Sequence, residues 1–175
     1  PAGSSGGSIT PTGIGNVGGT TSGQGGLTGQ GGGQQCGATP KSSSKLPPDI
    51  LIVLDASGSM DQDAMNAMCN GGCGAASQWA LMTPAINQVV MDTQAEVNWG
   101  LKFFADMGNT CGVSPNMVAV PVATNNAMAI ATAITGRTSA NGGVTNGSRT
   151  PTRAAEDAAV TYLTQLGMTE PNPKF

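Results

Sequence analysis

Apolar positions are sparse before Pro48 and become periodic after it. The run Asp49-Ile-Leu-Ile-Val-Leu-Asp55 carries five consecutive apolar residues, Ile50 to Leu54. That pattern predicts a strand buried on both faces, as in a parallel sheet. Residues 61–76, DQDAMNAMCNGGCGAA, break the periodicity and read as an irregular insertion with a Gly-rich turn. Ser77 is placed to cap a helix on which Trp79, Met82, Ile86, Val89 and Val90 fall at helical spacing. Pro84 lies inside that run and should kink the helix or mark its true first turn. Residues 97–105, VNWGLKFFA, predict a second strand with Val97, Trp99, Leu101 and Phe103 on one face. Residues 117–122 predict a short third strand, which Pro121 confines to an edge or an end. Asn125 or Asn126 then caps a helix through Ile134, with Ala127, Ile130, Ala131 and Ile134 as its buried stripe. After a polar loop, residues 136–149, a last helix runs from about Pro151 to Leu166. Pro151 suits its first turn, and Ala155, Ala159, Tyr162, Leu163 and Leu166 face the core. Pro171–Phe175 reads as the entry to another central strand. This order predicts an α/β fold, an open sheet with covering helices.

Composition divides the chain in two. Fifteen of the first 37 residues are Gly, too little apolar surface to set against chain entropy. Residues 1–47 therefore read as a Gly/Ser/Thr-rich tether or arm, and residues 48–175 as the folded part. The net charge of −3, with 10% charged residues and no basic stripe, argues against nucleic-acid binding. No apolar run approaches a membrane span, and no secretory signal is visible at the start. The nine methionines read as gap-filling core residues. The four cysteines, Cys36, Cys69, Cys73 and Cys111, lack CxxC pairs, and the chain has no histidine. A zinc site would need all four, so disulfides and an oxidising compartment are the better reading. CNGGC can fold back through Gly71-Gly72 to join Cys69 to Cys73. Cys36 would then pair with Cys111, or with a cysteine outside this chain. The same lack of histidine excludes a Ser-His-Asp triad within this chain, and neither GxSxG nor GxxxxGK[ST] occurs. The expectation is a protein that is not an enzyme.

The chemistry concentrates where the first strand ends. Asp55, Ser57 and Ser59 alternate in Asp-Ala-Ser-Gly-Ser-Met, so their side chains can converge at the carboxyl edge of a sheet. Open α/β folds place ligands at that edge. One carboxylate and two neutral oxygens suit a hard divalent cation, Mg2+ first, with Ca2+ or Mn2+ as alternatives.

An apolar strand followed by Asp-x-Ser-x-Ser resembles the metal-ion-dependent adhesion site of the von Willebrand factor A family. The wider pattern is PPDILIVLDASGSM, then CNGGC, a Trp-containing helix, WGLKFF, a single Cys, and TPTRAAEDAAVTYL leading to NPKF. It resembles secreted or lipid-anchored von Willebrand A proteins of myxobacteria and related bacteria. The resemblance implies a Rossmann-like open sheet, with only its N-terminal part in this chain. It implies that Thr150, in Arg149-Thr150-Pro151-Thr152, is a further metal ligand, with Thr152 as the nearest alternative. A third-loop Asp would follow the next central strand, beyond Phe175. Glu156 and Asp157 are not substitutes, since they fall mid-helix on a solvated face. The function implied is an extracellular or cell-surface adhesion module. In it, a partner's Asp or Glu completes the coordination of the bound cation, and copies of the chain or a second chain complete the fold. The competing reading is a structural subunit of an extracellular filament or surface assembly, with the Gly-rich arm packing on neighbours.

Overall fold

The computed structural model describes residues 45–104, 111–145 and 149–175. The compact unit runs over Ser43–Phe175. The Gly-rich arm, like Cys36, lies outside the described residues. Three strands, β1 (Asp49–Asp55), β2 (Asn98–Phe104) and β3 (Val120–Ala123), form one sheet in the order β1-β2-β3. Three helices accompany it: α1 (Gln78–Thr93), α2 (Ala127–Arg137) and α3 (Thr152–Gly167). The architecture is α/β, with a mixed sheet and flanking helices. β1 and β2 pair in parallel without a break, from Asp49 opposite Asn98 to Asp55 opposite Phe104. β3 runs antiparallel to β2, with a register shift between Trp99 and Leu101. Pro121 sits in this edge strand, where a missing N–H is tolerated.

The two faces of the sheet differ. Ile52, Leu54, Trp99, Leu101 and Phe103 share a face and pack with Trp79 and Val90 of α1 and with Ala127, Ile130 and Ile134 of α2. The Trp79 ring is fully buried, 6.2 Å from that of Phe103, and its N–H donates to Thr138 Oγ1 at 3.1 Å. The Trp99 N–H donates to Thr93 Oγ1 at 2.9 Å, so both indoles are satisfied. Arg137, in the last turn of α2, lies 4.9 Å from the centre of the Phe103 ring, a cation–π contact. On the other face α3 packs across β1 and β2 through Ala155, Ala158 and Ala159, small enough for helix and sheet to approach closely. The Tyr162 hydroxyl accepts the Val122 N–H at 3.0 Å and ties α3 to β3. Gly100 lets β3 come close: a Cβ there would meet Val122 Cγ2 at 2.6 Å and Leu51 Cδ1 at 3.1 Å.

Several elements differ in detail from expectation. Ser77 caps α1 as expected, accepting the Ala80 N–H at 3.1 Å, and Pro84 falls inside a helix that continues on both sides. Val89, expected in the buried stripe, is 53% exposed. Asn126 stands at the N-terminus of α2 but does not cap it. Its side-chain amide donates to the Trp99 and Pro121 carbonyls, both at 2.7 Å, and bridges β2 to β3. Gln94, at the end of α1, accepts the Ala127 N–H instead. The methionines are mostly not core: Met65, Met68, Met91, Met117, Met128 and Met168 are exposed, and only Met60 and Met82 pack against the cluster among the described residues. Lys102 was not singled out by its sequence. It is fully buried in β2, with its Nζ donating to the Ser114 and Met117 carbonyls at 2.7 and 2.8 Å. Charge-assisted bonds to backbone make its burial tolerable and anchor the loop before β3.

The C-terminal residues return to β1. Asp49 N–H donates to Pro173 O at 2.7 Å, Phe175 N–H to Asp49 O at 2.8 Å and Leu51 N–H to Phe175 O at 3.1 Å, a parallel pairing along the edge of β1 opposite β2. A buried polar cluster locks this end. The Asp49 carboxylate, 2% exposed, accepts from Lys174 Nζ at 2.5 Å, Asn98 Nδ2 at 2.7 Å and Asn172 Nδ2 at 3.1 Å. Burial alone would raise the Asp49 pKa. The bonds from Lys174, Asn98 and Asn172 and the Lys174 charge outweigh it and hold the carboxyl below its ordinary value of 3.8. A depressed folded-state pKa means stability that is present above the unfolded value and is lost as pH falls through the folded one. Thermal melts should therefore lose a component of stability on acidification below the ordinary carboxylate range. Lys174→Met leaves the buried carboxylate without its cation, held only by the Asn98 and Asn172 amides. It should cost about 3 kcal/mol in urea denaturation at neutral pH and flatten that acid dependence.

Candidate functional site

The end of β1 is fixed before any side chain is considered. The Ala56 N–H donates to the Phe104 carbonyl at 2.5 Å, so the chain leaves the sheet at a defined point. A 3-10 turn, Gly58–Asp61, follows. Alternation along β1 places Asp55 on the sheet face that α3 covers, and Thr150 lies just before α3. The parts predicted from distant stretches of sequence meet here. The Ser57 N–H donates to Asp55 Oδ1 at 2.7 Å. Ser57 Oγ lies 3.0 Å from Ser59 Oγ, and Thr150 Oγ1 bonds Ser57 Oγ at 3.2 Å across 93 residues of sequence. Ser57 is buried, while Ser59 and Thr150 are exposed, so this chain of three hydroxyls opens to solvent. Thr152 instead begins α3, exposed, with its N–H on the Thr150 carbonyl at 2.9 Å. Glu156 and Asp157 are exposed on α3.

The donor set fits a hard divalent cation. It is all oxygen, it carries one carboxylate, and its hydroxyls lie within hydrogen-bond distance of one another. One Asp55 oxygen receives the Ser57 amide, and among the described residues no hydrogen bond engages the other. No group of three or more His, Cys, Asp or Glu side chains able to hold a metal exists among the described residues. A site here would therefore be built on hydroxyls around a single charge.

The insertion forms a wall beside this cluster. Cys69 and Cys73 are joined by a disulfide, the local pairing that CNGGC suggests. Gly71 and Gly72 make the fold-back with φ of 84° and 87°, a region that L side chains rarely adopt. Cys111 is exposed and makes no disulfide among the described residues; its expected partner Cys36 lies outside them. The disulfide loop is tied to the 3-10 turn by the Cys73 N–H on the Asp61 carbonyl at 3.1 Å. It is tied to the loop after α2 by Asn141 Nδ2 on the Gly71 carbonyl at 3.0 Å. Asp61 is the residue of this region that sequence reasoning missed. Its carboxylate is held between two glycines: a Cβ at Gly143 would lie 1.7 Å from Oδ1, and one at Gly72 would lie 2.4 Å from Oδ2. Oδ1 is buried without a hydrogen-bond partner. The only sequence signal was the next acidic position after Asp55, with glycines that come near it only through folding.

Compared with known proteins, the chain matches no family model, no curated protein and no solved structure.

The packing around Asp61 makes a direct forecast. Gly143→Ala would bring a Cβ to 1.7 Å from Asp61 Oδ1, so the carboxylate must move. The substitution should lower stability by about 1–3 kcal/mol, read as a shift in the urea midpoint at unchanged slope. Gly136→Ala, where an added Cβ meets nothing within 4 Å inside α2, should instead stabilise by roughly 0.5–1 kcal/mol in the same assay.

Proposed function

We propose that this chain is an extracellular, metal-dependent protein-binding module of the von Willebrand factor A type. In this reading Asp55, Ser57, Ser59 and Thr150 hold a divalent cation, Mg2+ first. The observation that carries the reading is the link from Thr150 through Ser57 to Ser59 beside the Asp55 carboxylate. It joins a strand end to the start of α3, and no general feature of an α/β fold requires it. The strand, the Asp-x-Ser-x-Ser spacing and the Thr-Pro-Thr segment carry the resemblance to the family. The disulfide between Cys69 and Cys73 fits an oxidising compartment.

The chemistry follows from the donor count. Asp55 supplies one negative charge, and the three hydroxyls coordinate without neutralising the ion. The bound ion stays electrophilic and keeps positions for water or for another oxygen ligand. A partner's Asp or Glu carboxylate is the natural occupant, because it brings the missing charge. Ser59 and Thr150 face solvent, which leaves an approach for such a partner. The activity is binding through a bridging ion, not turnover.

Metal binding to the folded state stabilises it by mass action. At 100 times the dissociation constant, Mg2+ should add about 2.7 kcal/mol to unfolding stability, measured as a thermal shift that chelation reverses. Asp55→Ala should abolish the shift, and Thr150→Val should weaken it. An equal Mg2+ shift in wild type and Asp55→Ala would overturn the assignment.

A further inference from the structure

A groove of about 360 Å3 adjoins the hydroxyl cluster, between the 3-10 turn (Gly58, Ser59, Asp61) and the disulfide loop (Met68, Cys69, Gly72). Its size is within the range of ligand pockets, toward the small end. Ser59 belongs both to this groove and to the hydroxyl cluster. Besides Asp61, the walls are the Cys69 disulfide, the Met68 thioether, glycine backbone and the polar side chains of Ser59 and Gln62, and Met68 is 86% exposed. Asp61 is the single charged lining residue. Its carboxylate accepts no hydrogen bond and forms no ion pair among the described residues. One of its oxygens is closed off, and the other lies toward Gly72, itself a lining residue.

These features select a ligand. An apolar group would desolvate an unpaired carboxylate and be penalised for it. An anion would be repelled. A Lys or Arg side chain satisfies both parts of the groove, its methylenes along the thioether and disulfide and its cation on Asp61. We propose that the groove is a subsite for a Lys or Arg of the partner, placed near the Asp or Glu that binds the metal ion. The pairing of the two subsites rests on the function proposed above; the basic subsite itself rests on Asp61 and the groove. The partner segment is then a mixed-charge peptide carrying both an acid and a base.

The first test needs neither metal nor a known partner. Butylammonium is titrated into the full chain with chelator present, and amide NMR shifts are followed. The expected result is saturable movement of the Gly58 and Gly72 amides at millimolar concentration, absent with neutral butanol. Asp61→Asn, which keeps the side-chain shape, should abolish it. Met68→Lys, at an exposed position, places a competing base at the groove and should weaken it. Asp157→Asn, on the exposed face of α3, should leave it unchanged. No movement with butylammonium, or movement that survives Asp61→Asn, overturns the subsite. So does an Asp61-dependent response to Mg2+ or Ca2+ without one to butylammonium, since the site would then belong to a metal ion.

The second test uses labelled glycine peptides bearing one Glu and one Lys, separated by zero, one or two glycines, against the same peptides with norleucine for Lys. With Mg2+, the best Lys peptide should bind about tenfold tighter than its norleucine counterpart, with the advantage lost in Asp61→Asn. Equal, Mg2+-dependent binding of both peptides removes the subsite and leaves the metal reading intact. A Lys preference that persists in chelator and in Asp55→Ala keeps the subsite and removes the metal reading. Failure of every peptide to bind, with no butylammonium response, removes both.

Discussion

The parallel pairing of β1 with β2 is the constraint on which the other features depend. Seven consecutive residues of each strand are in register; β2 is buried on both faces over most of that length, and β1 is buried at Leu51 on one face and Leu54 on the other. Because side chains alternate, this one register decides what each face receives. Ile52, Leu54, Leu101 and Phe103 go to α1 and α2, and Leu51, Lys102 and Phe104 go to the side of α3. A shift by one residue would bury Asp55 among α1 and α2 and turn Leu54 toward Thr150. The candidate site exists because the register ends where Asp55 opposes Phe104, with the Ala56 amide fixed on the Phe104 carbonyl.

The two ends of β1 use polar groups differently. At the amino end the Asp49 carboxylate is nearly fully buried and answered by three side-chain donors. Every group there is matched, which makes a structural clamp holding the C-terminal residues against the sheet. At the carboxyl end the hydroxyls of Ser59 and Thr150 are exposed, and among the described residues one Asp55 oxygen and the Asp61 carboxylate have no hydrogen-bond partner. Oxygen left without a protein partner at one strand end, against matched charge at the other, is the physical difference between the two ends.

The insertion between β1 and α1 supplies shape to that edge. Its backbone has few ladder partners, so it is held by a disulfide, by an isolated bridge between Asp63 and Ser77, and by Gln78 Nε2 on the Asp63 carbonyl at 2.9 Å. The Asp63 carboxylate accepts the Met65 and Ala67 amides at 2.9 and 2.8 Å and closes a turn, so it is spent on structure. Asp61, two residues away, has no such task. Two neighbouring aspartates thus take different roles because only one finds backbone donors within reach.

The sequence by itself determined the elements, since burial on both faces, helical spacing and capping chemistry act over a few residues. The strand Ile50–Leu54, the Ser77 cap, the alanine face of α3 and the alternation of Asp55, Ser57 and Ser59 are all local patterns, and so is the fold-back of CNGGC. Tertiary structure alone decided the rest. It set β3 antiparallel and turned Asn126 from a cap into a strand bridge, because the carbonyls it reaches come from β2 and β3. It left most methionines in solvent, because the core was already filled by aromatic and branched side chains. It buried Lys102, whose carbonyl partners come from a loop more than ten residues away. The hydroxyl contact between Thr150 and Ser57 and the two glycines around Asp61 join positions far apart in the chain. No spacing rule encodes such distances; they follow from the register of one pair of strands and the path of the chain around them.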